Sequence, residues 1–235
     1  MRYSLSKTLE RHARFAVPMF ERCGLMRSRS FGLNGLDRKL LEHVYGRNGI
    51  FVEAGANDGL SQSNTAYYEL YLGWRGLLVE PIPELAAKCR ANRTRSTVAE
   101  AALVSANDTR RSVSMTYCNL MSVMDGARGS AELDAAHVES GKRFLAPNDT
   151  VRRVEVVTST LADLVRQHGF ERVDLLSLDV EGYEAQALLG MDFDELAPMW
   201  ILVEANDRDA VHAVLAPRYD LVGDLSHHDR LYRLR

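Results

Sequence analysis

The chain has 235 residues, 46% of them apolar and 26% charged, with a formal net charge of −3. That length suits one α/β domain with an insertion, and the mild acidity gives no electrostatic case for a nucleic-acid partner, which is held by cations facing phosphates. No apolar run approaches the ~20 residues that span a bilayer, and no signal-peptide core is present. Cys23, Cys89 and Cys118 are odd in number and widely spaced, forming neither a disulfide framework nor a zinc pattern, so a cytoplasmic, reducing setting is expected.

Residues 1–35 read as a helical extension ahead of the main domain at 36–235. Arg2, Lys7, Arg11, Arg14, Arg22, Arg27 and Arg29 face only Glu10 and Glu21, and Leu5, Leu9, His12, Phe15 and Ala16 fall near helical spacing until Pro18 interrupts it. Such a helix caps its own domain, forms a contact in a homo-oligomer, or lies peripherally on an anionic membrane. Liposome association that depends on residues 1–30 would separate the last case from the others.

Leu36, Leu40, Leu41 and Val44 mark an amphipathic helix, and Ile50 to Ala54 a first strand. A helix should follow from near Ser61, with Ser61 or Ser63 capping its free amides. The second strand is Gly76 to Glu80, the next helix runs from Pro83 to Asn92, and the third strand lies near Thr97 to Ala101. Residues 106–150 break the alternation. Val113, Met115 and Tyr117 alternate as a strand, but the rest is small, polar and glycine-rich, the composition of a functional or mobile loop. It is expected to form a lid over an acceptor. Val151 to Val157 resumes as a strand, a helix covers Thr160 to His168, and further strands are Val173 to Asp179 and Met199 to Glu204. Asp220 to Gly223 and Asp229 to Leu234 form a closing hairpin. The order predicts a Rossmann-like, mostly parallel sheet of seven strands with a C-terminal antiparallel hairpin.

The first two strands carry the chemistry. Phe51-Val52-Glu53-Ala54 feeds Gly55-Ala56-Asn57-Asp58-Gly59, and Gly76-Leu77-Leu78-Val79 ends in Glu80. A strand, a glycine turn, a helix and a second strand ending in an acid form the nucleoside-binding half of such a sheet, the acid accepting from ribose hydroxyls. The third glycine of a dinucleotide loop is missing. Asp58 beside that gap would repel a pyrophosphate and suits an ammonium-bearing ligand, such as the methionine part of S-adenosylmethionine. A nicotinamide-dependent oxidoreductase is therefore disfavoured. A scaffold that has kept the fold and lost catalysis is the other rival.

Three blocks are similar to the FkbM family of S-adenosylmethionine-dependent methyltransferases. They are Phe51 to Gly59 with Gln62-Ser63-Asn64-Thr65, Gly73-Trp74-Arg75-Gly76 with Val79-Glu80-Pro81, and Asp174 to Glu184 around Asp179-Val180-Glu181-Gly182-Tyr183. The resemblance spans roughly residues 31 to 205 and implies a class I methyltransferase fold. It also implies O-methylation of a sugar, glycolipid, polysaccharide or secondary metabolite, so the expected partner is a glycan or small molecule.

At strand one, Glu53, Gly55, Asn57, Asp58 and Gly59 are assigned to the donor's methionine portion. At strand two, Glu80 with Pro81 takes the ribose, and at strand three Glu100 and Ala101 flank the adenine. Ser63 and Asn64 either cap a helix or join the donor site, and the resemblance favours the latter. Asp179 ends strand four, where a carboxylate serves as general base, binds the donor's ammonium or ligates a metal. With Glu204 and Asn206 after strand five it resembles the magnesium site of catechol-type O-methyltransferases, and Mg²⁺ suits such hard oxygens. His228, beside His227, sits either on a solvent-exposed turn or at the cleft as general base, and His137 would serve if the lid folds over the site. Trp74 and Tyr183 read as packing residues.

Overall fold

The computed structural model describes residues 19–21, 23 and 29–235. Most of the basic N-terminal stretch lies outside the described residues, and so does the helix expected there. Of the described part, Glu21 accepts from Tyr67 Oη at 2.6 Å and pairs with Arg38 at 3.3 Å, which ties it to the body of the domain.

After a short helix α1 (Leu36–Leu40), the chain alternates strands and helices: β1 (Ile50–Ala54), α2 (Ala66–Leu72), β2 (Arg75–Val79), α3 (Pro83–Asn92) and β3 (Thr97–Ala99). An excursion follows through β4 (Ala102–Leu103), β5 (Ser112–Tyr117), β6 (Val123–Met124), α4 (Ala131–Gly141) and β7 (Arg152–Ser159). The alternation resumes with α5 (Leu161–Gln167), β8 (Leu175–Leu178), α6 (Glu184–Leu188), β9 (Trp200–Glu204) and α7 (Arg208–Leu215), and closes with β10 (Tyr219–Asp224) and β11 (Asp229–Leu234).

The main sheet has seven strands in the order β10-β11-β9-β8-β1-β2-β3. β1, β2, β3, β8 and β9 are parallel, and β11 alone runs against its neighbours β9 and β10. This is the sheet the sequence predicts, hairpin included. β1 sits at its centre, every residue buried, as expected of a parallel strand covered on both faces. Alternate residues go to alternate layers. Val52 and Ala54 pack with Leu161, Val165, Leu188, Val211 and Leu215, while Phe51 meets Leu36, Leu40, Tyr68, Trp74 and Cys89. Trp74 is core, edge-on to Tyr68 with its Nε1 donating to the Gly46 carbonyl at 3.0 Å.

Several boundaries depart from expectation for visible reasons. The helix after the glycine turn begins at Ala66 rather than near Ser61, because residues 58–65 fold as turns tied to Asp58 and Glu53. β3 stops at Ala99, and the next two residues carry the chain across into β4, which joins β7 instead of extending the main sheet. Residues 106–150 are less loop-like than their composition suggests. β5 and β6 pair with each other, β5 pairs along the length of β7, and α4 is capped by Ser130 accepting from Leu133 N. The strand expected at 151–157 therefore belongs to a second sheet, β4-β7-β5-β6. The expected lid is a folded wall.

Candidate active site

Open α/β sheets bind ligands beyond the carboxyl ends of their strands, where the strand order reverses. Here that point lies between β1 and β8, and a cavity of about 520 Å³ opens over it, within the range of small-molecule sites. One half is lined by Gly55, Ala56, Asn57, Ser63, Glu80, Pro81 and Ala101; the other by Asp179, Glu181, Glu204, Asn206, Arg128 and His137. Met115, Met121, Met124 and Phe144 of the second sheet and its helix supply an apolar wall.

The glycine turn is shaped by close approach. Gly55 has φ +81°, and a Cβ there would stand 1.8 Å from the Asp179 carbonyl oxygen. Gly55 N and Ala56 N both donate to Val79 O, at 3.0 and 3.2 Å, which brings the turn down over the end of β2. Glu80 is its anchor. Its Oε2 accepts from Asn57 N at 2.8 Å and its Oε1 from Ile82 N at 2.9 Å, leaving each oxygen a lone pair for a ligand hydroxyl. Burial pushes Glu80 up to about 7, although those two amides act in the opposite direction. Asn57, at φ +50°, lines the cavity and donates from Nδ2 to Asn119 Oδ1 at 3.2 Å, joining the turn to the second sheet's side.

Other residues expected at the donor lie behind it. Glu53 points away from the cavity, accepting from Ser63 Oγ at 2.9 Å, Asn64 N at 2.9 Å and Thr65 Oγ1 at 2.5 Å. Arg93 completes this cluster. Fully buried at the end of α3, its Nε donates to Glu69 at 2.9 Å, and its Nη atoms reach Gly59 O, Ser63 Oγ and Thr65 Oγ1 at 2.8–3.1 Å, with Glu53 at 3.4 Å. Glu53 thus supports the donor turn and does not line it.

Asp58 is likewise turned inward to its own loop, accepting from Leu60 N, Ser61 N and Ser61 Oγ at 2.7–2.9 Å, so it has no part in the cavity lining expected of it. Burial would raise its pKa, but these bonds outweigh that and hold it below the ordinary aspartate range. Gly59 packs against Arg93 and Cys89. Asn64 is buried outside the cavity with Nδ2 donating to Ser177 Oγ at 3.2 Å, while Ser63 lines the cavity and also receives Ala66 N at 3.0 Å, capping α2. Glu100 is paired with Arg90 at 2.5 Å on the outer surface, a correction to its expected place beside the adenine; Ala101 does line the cavity.

At the opposite half, carboxyl groups crowd together. Asp179, Glu204, Glu181 and Glu184 stand close enough to act on one another. Burial first, then the neighbouring acids Glu204, Glu181 and Glu184, push Asp179 well above the carboxylate range. Glu181 is raised to about 8 by burial and by Glu204 and Glu184, against the Arg128 cation. Asp179 Oδ1 is buried and has no hydrogen-bond partner. The carboxyls of Asp179, Glu181, Glu184 and Glu204 outnumber the guanidinium of Arg128 that faces them. This excess fits a ligand that brings a sulfonium and an ammonium, as S-adenosylmethionine does, and the Gly55 cradle and Glu80 fit its nucleoside end.

A magnesium site fits less well. Asp179, Glu204 and Asn206 all reach the cavity, but Arg128 Nη2 donates to Asn206 Oδ1 at 3.2 Å while Nη1 donates to Glu181 O at 3.3 Å, so a guanidinium already supplies the cation there. Among the described residues no group of three or more His, Cys, Asp or Glu side chains is arranged to hold a metal. His228 is exposed on the β10–β11 turn, outside the cavity, because its backbone carbonyl is held by Ala205 N and its amide by Ser226 Oγ. It cannot serve as the expected base. The histidine at the site is His137 on α4, 8% exposed.

This architecture is that of a class I methyltransferase domain. Residues 53–221, most of the chain, match the methyltransferase FkbM domain, and the chain belongs to that family of S-adenosylmethionine-dependent methyltransferases. It is also similar to the AMB antimetabolite synthetase AmbE of Pseudomonas aeruginosa, 28% identical over 218 aligned residues that take in 79% of this chain and 10% of that protein. The chain thus spans about a tenth of that curated relative's length. Among solved structures, a TehB-like SAM-dependent methyltransferase from Corynebacterium glutamicum superposes with TM-score 0.42 at 10% identity, covering 95% of this chain and 98% of that one. Aeropyrum pernix fibrillarin with natively bound S-adenosyl-L-methionine gives 0.43 at 12% identity, covering 88% and 81%. Likenesses this loose assign nothing to this chain.

Proposed function

We propose that the protein transfers the methyl group of S-adenosylmethionine to a hydroxyl of a sugar, glycolipid, polysaccharide or secondary metabolite. The observation that carries this reading is the single cavity joining Glu80 and the Gly55 turn to a wall bearing carboxyls and an imidazole whose Nε2 has no hydrogen-bond partner. Methyl transfer to oxygen needs a donor held still, a hydroxyl in line with its methyl, and a place for one proton. The donor supplies an electrophilic methyl on a sulfonium. Glu80 accepts from the ribose hydroxyls, Ala101 flanks the base, and the orphaned Asp179 Oδ1 receives the ammonium. Burial and the neighbouring acids push Asp179 toward its protonated form, which disfavours it as a base in the ligand-free protein, while a bound ammonium would favour its ionised form. The apolar wall of Met115, Met121, Met124 and Phe144 excludes water from the acceptor.

Calorimetry with S-adenosylmethionine, with NAD and NADP as controls, tests the donor. Micromolar binding of the methyl donor alone is expected; no binding by folded, ligand-free protein would leave the non-catalytic scaffold. Tritium transfer from methyl-labelled donor to a panel of methyl glycosides tests the acceptor class. Label appearing on nitrogen or carbon compounds and never on hydroxyls would overturn it.

A further inference from the structure

We propose that His137 is the general base that removes the acceptor's hydroxyl proton, a role that rests on the methyl-transfer reading above. The ring is buried in the wall of the cavity, on the face opposite the glycine turn. Its Nε2 is buried and has no hydrogen-bond partner. A neutral imidazole that carries its proton on Nδ1 has a free Nε2 lone pair, the tautomer a base needs. Glu181 Oε2 lies 3.3 Å from Nε2 without the alignment of a hydrogen bond, and once ionised this carboxyl would stabilise an imidazolium.

Charged groups face the ring from three directions: Asp134 on its own helix, Arg128 from the turn before it, and Glu181 from the loop after β8. Burial and the Arg128 cation lower the imidazole's pKa and outweigh Asp134, so the ring is neutral and ready to accept at neutral pH. In the step itself, the acceptor O–H proton passes to Nε2 while an oxygen lone pair forms the new O–CH₃ bond. The S–CH₃ bond breaks with its electron pair going to sulfur, leaving a neutral thioether, and the imidazolium then loses its proton to water.

Two measurements on the full-length protein test this. In ¹⁵N-histidine-labelled protein at pH 7, the His137 ring should show the Nδ1–H tautomer and titrate below 6.5; an Nε2–H tautomer, or a ring charged at pH 7, would falsify the proposal without any acceptor. His137→Gln should bind S-adenosylmethionine within about twofold of the parent, yet lose methyl transfer to the glycoside panel by ~10²-fold or more, together with the acid limb of the pH–rate profile. Turnover within about threefold and an unchanged profile would also overturn the role. Failure of the parent protein to bind the donor would instead remove the proposed function, while leaving the tautomer result as it stands.

Discussion

Glu80 and Gly55 together shape the turn over the end of β2 that is proposed to hold a nucleoside. Glu80 spends one lone pair on each of two backbone amides, so its carboxylate orients the glycine turn as well as facing the cavity. Glu80→Gln keeps the shape but turns one of those acceptors into a donor opposed to an N–H. Donor affinity should fall by at least about tenfold, roughly 1.4 kcal/mol, by calorimetry; unchanged affinity would remove the ribose assignment. Gly55→Ala places a methyl 1.8 Å from the Asp179 carbonyl at a positive φ. Either β1 or β8 has to yield, and the cost should be on the order of 3 kcal/mol or more in urea unfolding, the range of a backbone clash in a core.

At the level of elements, α3 does more than cross between β2 and β3. Its end delivers Arg93 beneath the turn, where one guanidinium meets Glu53, Glu69 and three oxygens of the segment 59–65. Arg93→Ala leaves two buried carboxylates without their cation. Loss of about 3–5 kcal/mol is expected in urea unfolding, and a loss under 1 kcal/mol would mean that the cluster is dispensable. None of this was legible in sequence, where an arginine at a helix C-terminus reads as a surface cation complementing the dipole. Glu53, by contrast, was legible as important and misassigned. Its position before Gly55 singles it out, but only the alternation of β1 shows that it shares a face with Phe51 and not with the ligand. The place of Glu80 at the end of β2, the seven-stranded mostly parallel sheet and the hairpin were readable, because strand, turn and acid follow one another locally. His137 was legible only as a conditional candidate, and Arg128 and Asn119 not at all, since their places depend on a second sheet assembled from pairings 35 to 45 residues apart in the chain.

For the whole molecule, the crowded acids impose a pH dependence whose sign is fixed. Glu80 is raised to about 7 and Glu181 to about 8, while unfolded glutamates titrate near 4.5. The folded protein therefore binds more protons than the unfolded chain between those values. The stability these groups lend is complete below about pH 4.5 and lost as pH rises through 7 to 8. Tm should fall between pH 5.5 and 8.5, and Glu181→Gln should flatten the decline; a slope equal to that of the parent would contradict it. A cationic donor favours the ionised acids, so its affinity should climb over the same window. Calorimetry in buffers of different ionisation enthalpy should then register proton release on binding, and proton uptake would contradict the charge balance described here.

The excursion through residues 104–157 enters and leaves at adjacent points, because β4 and the end of β7 pair at Ala102 with Thr158 and Leu103 with Ser159. A segment closed at its base in this way can change length or composition without displacing β1, β2 and β8. It also carries both the apolar wall and His137. On the proposed function, donor binding and acceptor choice therefore fall on separable parts of the chain, and exchanging this one closed segment is the economical way to redirect the reaction without rebuilding the sheet.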